Sequence, residues 1–256
     1  MNVQIIVISA NEERKQYMMK QFKELSVPYP VFFLEASTPA TSKDYFLGTN
    51  YDSKNQKNYC CSKSHCRAIE YAGLDTSPEY SIIVEDDVAL HKTKFLPVVE
   101  ELRLGWRKII PNNVDYISLG WIMMNTHEDY LKRCKPLNLS SYPESGWFDW
   151  FVIGLQAYMI KRDVASKIAP VINKPTLHDL RKSILSNNFA NIKNVDECEA
   201  TDVFLPRILY PWAVFPSLAI ESEELTSLLE HNNFTLYWNK YFSGRAEEKL
   251  LYYKPT

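Results

Sequence analysis

Residues Val3 to Ser9 are almost continuously apolar and β-branched, and this pattern constrains the fold more than any other feature. A half-exposed strand alternates apolar and polar residues, so a run without alternation suits a parallel strand covered on both faces. Asn11 follows as an N-cap candidate with Glu12 and Glu13 in the first turn. Met18, Phe22 and Leu25 recur at helical spacing, the pattern stops before Pro28, and Val31 to Leu34 reads as a second strand ending at Glu35. The chain therefore opens as a βαβ unit.

The alternation continues. Helices are predicted over Tyr59–Leu74, Phe95–Ile110, Asp163–Val171 and Leu177–Leu185, with another starting at Asp202 and a short amphipathic one over Glu221–His231. Strands are predicted over Ser81–Val84, Tyr116–Leu119, Leu155–Ile160 and within Ala213–Ile220. Residues 36–58 are polar and aperiodic and read as a long loop bordering the active site, a lid that orders when a donor binds. With no repeat or linker, the 256 residues are expected to form one domain.

Composition removes several functions. A net charge of −2 offers no electrostatic basis for nucleic-acid binding. The seven glycines form neither G-x-G, nor GxxxxGK, nor G-x-S-x-G, so a glycine cradle for phosphates, a dinucleotide fingerprint and a hydrolase nucleophile elbow are all missing. Five cysteines without C-x-x-C spacing argue for reduced thiols rather than a disulfide framework or a zinc ribbon. Without a signal sequence, and with its longest later apolar stretch, Trp150–Ile160, well short of the ~20 residues a span needs, the chain is expected to be cytoplasmic. Peripheral contact with a membrane stays open.

The most informative segment is Ile82-Ile83-Val84-Glu85-Asp86-Asp87-Val88, where three carboxylates end an apolar strand. Ligands of open α/β sheets bind at that end. Adjacent acids repel, and protonation, solvation or a cation relieves them. A hard Mn²⁺ or Mg²⁺ suits oxygen ligands and bridges to phosphates, which in a chain lacking a glycine cradle suggests a diphosphate neutralised by metal on Asp87. Strand alternation puts Glu85 with Asp87 on one face, as the pair able to share a metal, and leaves Asp86 to bind a hydroxyl or orient a neighbour. A plain solvated acidic turn accounts for the same residues.

Five segments stand out together: Ile6 to Ser9 with Arg14 and Phe22, Cys61-Ser62-Lys63-Ser64-His65, Ile83 to Val88, Ala157 to Ile160 with Ala165, and Thr201 to Pro206. They resemble glycosyltransferase family 25, which includes lipooligosaccharide and collagen galactosyltransferases: the second matches its C-x-x-S-H and the third is similar to its I-L-E-D-D. Cys60 stands where the family usually has glycine, the mark of a remote member. The resemblance implies a GT-A fold, a mixed, mostly parallel α/β sheet flanked by helices on both faces. The nucleotide-sugar half would occupy about residues 1–120 and the acceptor half the remainder. It also implies a nucleotide-sugar donor, usually a UDP-sugar, a glycan acceptor, a Mn²⁺-type metal and inversion at the anomeric carbon.

Ser9, Arg14, Glu35, Ser64, His65, Glu85 and Asp86 then become donor-binding candidates, with Asp87 and Glu85 as metal ligands. Each has a plainer reading: a surface charge for Arg14, a buried hydrogen-bonded core residue for His65, packing for Cys60 and Cys61. The aromatics between residues 121 and 151 suit core packing or stacking on a sugar. Asp202, at a helix start, is the candidate general base and also a natural N-cap. Asp149 and then Glu144 are the next bases. A metal-dependent phosphohydrolase and a catalytically silent sugar-nucleotide or glycan-binding module remain as alternatives.

Overall fold

A computed structural model describes residues 3–46, 53–110, 113–122, 134–143, 145–148, 153–187, 201–222, 225 and 252. The chain opens as expected, with β1 (Val3–Ser9), α1 (Glu12–Glu24) and β2 (Val31–Glu35), the two strands being parallel. Asn11 is extended and its Oδ1 accepts the Arg14 N–H at 3.0 Å, which starts α1 immediately beyond the end of β1. Next come α2 (Ser53–Ala72), β3 (Tyr80–Glu85), β4 (Val88–Leu90), α3 (Phe95–Ile109) and β5 (Tyr116–Ile122). The second half holds β6 (Lys135–Pro136), β7 (Gly146–Phe148), β8 (Ile153–Lys161), α4 (Arg162–Ile172), α5 (Leu177–Ser186), α6 (Thr201–Ile208), β9 (Pro211–Phe215) and β10 (Ala219–Glu221).

Among the described residues the strands form one sheet in the order β2-β1-β3-β8-β5-β9-β7-β6, with β10 pairing both β4 and β5. β1, β2, β3, β5, β9 and β10 share one direction, while β8 lies antiparallel between β3 and β5. This is the mixed, mostly same-direction sheet that was expected. Its strands lack alternation because both faces are covered. Ile5 and Val7 of β1, Ile82 and Val84 of β3 and Met159 of β8 pack with Met18 and Phe22 of α1 and Val98 and Leu102 of α3. Ile6, Ile8, Ile83, Tyr158 and Ile160 pack on the other face with Ile69 of α2, Ile168 of α4, Leu180 of α5 and Phe204 of α6. Each such Ile or Val contributes about 1.5–3 kcal/mol by leaving water. Gly73 lets the end of α2 lie directly on α4, since a Cβ there would stand 2.6 Å from the Ser166 nitrogen. No helix among the described residues is long and apolar enough to cross a membrane.

Three expectations are corrected. The stretch 36–58 is not all loop: a 3-10 turn covers Lys43–Phe46, burying Tyr45 and Phe46, and α2 begins at Ser53 rather than Tyr59. Lys57 in the early part of α2 lines a cleft, and the sequence of that stretch shows no apolar period. The expected strand within Ala213–Ile220 is two strands, β9 and β10, because Pro216 has no N–H to continue a ladder. Glu221 ends β10 opposite Val88 instead of starting a helix. The rest of the expected 221–231 helix, apart from Ser222 and Leu225, lies outside the described residues.

Candidate functional site

The C-terminal ends of β1 and β3 open into a cleft of about 290 Å³. The chain leaves β3 after Glu85, so Asp86 and Asp87 occupy the turn between β3 and β4. Strand alternation therefore ends at Glu85 and does not sort the next two acids by face. Arg14 Nη1 donates to Asp86 Oδ1 and to Asp87 Oδ2, both at 3.1 Å, and the Ala10 N–H donates to Asp86 Oδ2 at 2.6 Å. Arg14 is thus a buried ion-pair partner of the acids, not a surface charge.

Burial pushes the Asp86 carboxyl above its ordinary range, although the Ala10 N–H and Arg14 favour its charge. Asp87 is pushed up further, by burial first and then by the neighbouring Glu85 and Glu221, against the pull of Arg14. Glu221 arrives from β10, whose pairing with β4 brings it to the acid turn. Glu85, Asp87 and Glu221 all line the cleft, together with Arg14 and Lys57.

On the other face of β3, Glu85 Oε1 accepts from Cys61 Sγ at 3.4 Å and lies 3.3 Å from His65 Nε2. His65 Nδ1 is 3.2 Å from the Tyr158 hydroxyl of β8. Among the described residues, Cys61, His65 and Glu85 are the trio of His, Cys and acidic side chains whose ligand atoms all lie within 4.8 Å of one another. Ser64 Oγ donates to the Cys60 carbonyl and accepts the Ser37 N–H, both at 2.8 Å. Arg67 Nη1 donates to the Glu35 carbonyl at 3.2 Å. The segment after β2 is thereby tied to α2 along one side of the cleft.

Arg14, Ser64, Glu85, Asp86 and Asp87 accordingly share one cleft, and His65 sits behind Glu85, buried and hydrogen-bonded. Ser9 ends β1 and does not line the cleft; its Oγ donates to the Asn11 carbonyl at 3.2 Å, and the hydroxyl supports the Asp86 carboxylate. Glu35 is exposed and does not line the cleft. Asp202 is the second residue of α6, and its side chain lies outside the described part. Asp149 and Glu144 lie outside the described residues.

Sequence reasoning missed Cys61 as a neighbour of the acids, and it missed Glu221, Gln156 and Lys57. Cys61 and His65 are four apart on a helix and so share a face, a signal that was available. Gln156 interrupts an apolar strand, a second signal. Nothing local marks Glu221, because it reaches the site only through β10–β4 pairing.

The protein-family model described as glycosyltransferase family 25 (LPS biosynthesis protein) matches residues 1–179. The chain belongs to glycosyltransferase family 25. It is a glycosyltransferase, and the matched span includes C-x-x-S-H and the acid turn, whereas Thr201 to Pro206 lies beyond it. No curated protein matches the chain.

Solved structures similar to this transferase include a glycosyltransferase involved in glycosylation of the major capsid of PBCV-1, at 10% identity over 92% of this chain and 100% of that one, with a TM-score of 0.40. Another is a mannose-1-phosphate geranyltransferase from Thermus thermophilus, at 10% identity over 87% and 75% of the two chains, with a TM-score of 0.42. A third is galactosyltransferase LgtC in complex with donor and acceptor sugar analogs, at 8% identity over 99% and 98%, with a TM-score of 0.38.

Proposed function

We propose that the protein moves a sugar from a nucleotide diphosphate, most simply a UDP-sugar, to a hydroxyl of a glycan or glycoconjugate, in the cytoplasm and with inversion. The observation that carries this reading is the set Glu85, Asp87, Glu221 and Arg14 lining one cleft at the strand ends of a family 25 chain. Four described cysteines are free, in keeping with a reducing compartment. Residues 1 to about 120 supply most of the donor half, although Gln156 and Glu221 reach the cleft from beyond it.

The donor set suits a hard divalent ion, Mn²⁺ or Mg²⁺. Burial first, and then repulsion from Glu85 and Glu221, raises the Asp87 carboxyl, and a cation relieves that repulsion. Asp87 and Glu85 would hold it, with Glu221 close by, and the diphosphate would complete its shell, since such ions use one or two carboxylates plus phosphate oxygens. When bound, the ion supplies Lewis-acid stabilisation to the departing diphosphate.

The chain's own residues do the rest. Asp86, clamped by Ala10 and Arg14, fixes the turn that presents Asp87. Lys57 adds positive charge beside the phosphates. In the reaction the anomeric carbon–oxygen bond to the diphosphate breaks as the acceptor oxygen attacks from the opposite face, and Asp202 takes the acceptor proton.

Titration of UDP with Mn²⁺ and again with chelator is expected to show markedly tighter binding with metal. Equal affinity would remove the metal from this reading, and sugar release at full rate without acceptor would make the protein a hydrolase. Asp202→Asn is expected to keep donor affinity and melting temperature while turnover falls about 10²–10⁴-fold, the usual contribution of a general base. Turnover within a fewfold of wild type would pass the role to Asp149, then Glu144.

A further inference from the structure

From the α2 wall of the cleft we infer that Cys61, His65 and one carboxylate oxygen of Glu85 form a zinc site, which shares Glu85 with the carboxylates proposed to hold the diphosphate's metal. Cys61 and His65, four apart on α2, project on one face toward Glu85 at the end of β3, and their ligand atoms lie within 4.8 Å of one another.

Two of the three separations match tetrahedral zinc, and the third, between sulfur and nitrogen, lies within 4.8 Å. Bonds of ~2.3 Å to sulfur, ~2.0–2.1 Å to nitrogen and ~2.0–2.2 Å to oxygen set edges of about 3.6 Å between sulfur and oxygen and about 3.4 Å between nitrogen and oxygen. The separations in the protein are 3.4 Å for Cys61 Sγ to Glu85 Oε1 and 3.3 Å for His65 Nε2 to the same oxygen. As a hydrogen bond to a carboxylate the imidazole contact is long, because charge-assisted nitrogen–oxygen bonds close to about 2.7–2.9 Å.

The surroundings supply what a zinc ligand set needs. A ligating histidine donates its second ring N–H to a fixed acceptor, and the Tyr158 hydroxyl stands 3.2 Å from His65 Nδ1, leaving Nε2 for the metal. Thiolate and carboxylate balance the two positive charges of zinc, and the thiol proton leaves to solvent. Gln156 lies opposite Glu85, one register step beyond the Val84–Ala157 pair, and it lines the cleft. Its buried Oε1 has no hydrogen-bond partner, so the cleft wall next to Glu85 holds an acceptor that is still unpaired. Sulfur and imidazole select zinc over Mn²⁺ and Mg²⁺, which prefer oxygen.

The test uses the full chain, reduced and metal-free, titrated with Co²⁺ as a spectroscopic stand-in and then with Zn²⁺, with no nucleotide-sugar present. Its outcome is therefore independent of the transferase reading. One equivalent of Co²⁺ is expected to give a thiolate charge-transfer band and tetrahedral visible bands, which Zn²⁺ abolishes and Mg²⁺ leaves intact. Cys61→Ser should remove the charge-transfer band. Tyr158→Phe should weaken Zn²⁺ binding about 10–100-fold, the usual cost of losing an outer partner, and Cys134→Ser should change neither. X-ray absorption of the zinc-loaded wild type should find one sulfur at ~2.3 Å among nitrogen and oxygen neighbours, a readout that does not depend on any variant folding. A charge-transfer band that survives Cys61→Ser, a sulfur-free zinc shell or the absence of stoichiometric binding would each overturn the site.

Discussion

Carboxylates on the two sides of the β3 terminus are held in opposite ways. On the α1 side both oxygens of Asp86 are engaged by strong donors, the Ala10 N–H at 2.6 Å and Arg14 at 3.1 Å, with the guanidinium buried over the pair. On the α2 side Glu85 meets a thiol and an imidazole at 3.4 and 3.3 Å. The first arrangement resists change, because removing either partner strands a buried charge. The second engages Glu85 through a weak thiol donor and an imidazole, both of which are also metal ligands. One strand end thus joins a rigid support to a responsive wall, and the cleft lies between them.

That contrast can be broken by substitution. Arg14→Met has the largest expected effect, a loss of about 3–5 kcal/mol in chemical denaturation, because it leaves Asp86 and Asp87 buried without their cation. A loss under about 1 kcal/mol would mean that water already reaches the pair.

The second effect is on pH dependence. Asp87 has a raised carboxyl pKa in the folded state, so the folded chain holds a proton that the unfolded chain releases near the ordinary carboxylate range of ~4. Stability contributed this way is complete below that range and is lost as pH rises toward the folded value. Melting temperature of the metal-free protein should therefore fall more steeply with rising pH in wild type than in Asp87→Asn, and Mn²⁺ should flatten the wild-type slope. Parallel slopes would show that Asp87 does not carry this charge burden.

Glu85→Gln sharpens the comparison from the other side. It should move stability by about 1 kcal/mol or less, the size of one ordinary hydrogen bond, yet abolish stoichiometric Zn²⁺ binding. A stability loss as large as that of Arg14→Met would make both sides of the strand end equally structural.

Much of the fold was legible because the information is local. Val3–Ser9 and Ser81–Val84 lack alternation, and both proved to be strands covered on two faces. Phe95–Ile110 announced α3 to within a residue. Errors arose where a segment lacks its own period. The polar first turns of α2 gave no apolar stripe, and β4 is too short to show any pattern. At the site, the acids were visible as a run, but their orientations were not, since a turn after Glu85 cancels strand alternation.

Sequence alone determined the α/β alternation, the acid run at a strand end, the absence of a glycine cradle for phosphates and the C-x-x-S-H segment that marks the family. Each is written in neighbouring residues or in a period of two or 3.6. Only tertiary structure decided that Arg14 clamps Asp86 and Asp87, that Glu221 joins them through β10, and that Cys61 and His65 meet Glu85 with Tyr158 behind them. Those neighbours come from different elements, and their approach is fixed by sheet order and by helix packing on two apolar faces, neither of which is encoded in any short stretch of chain.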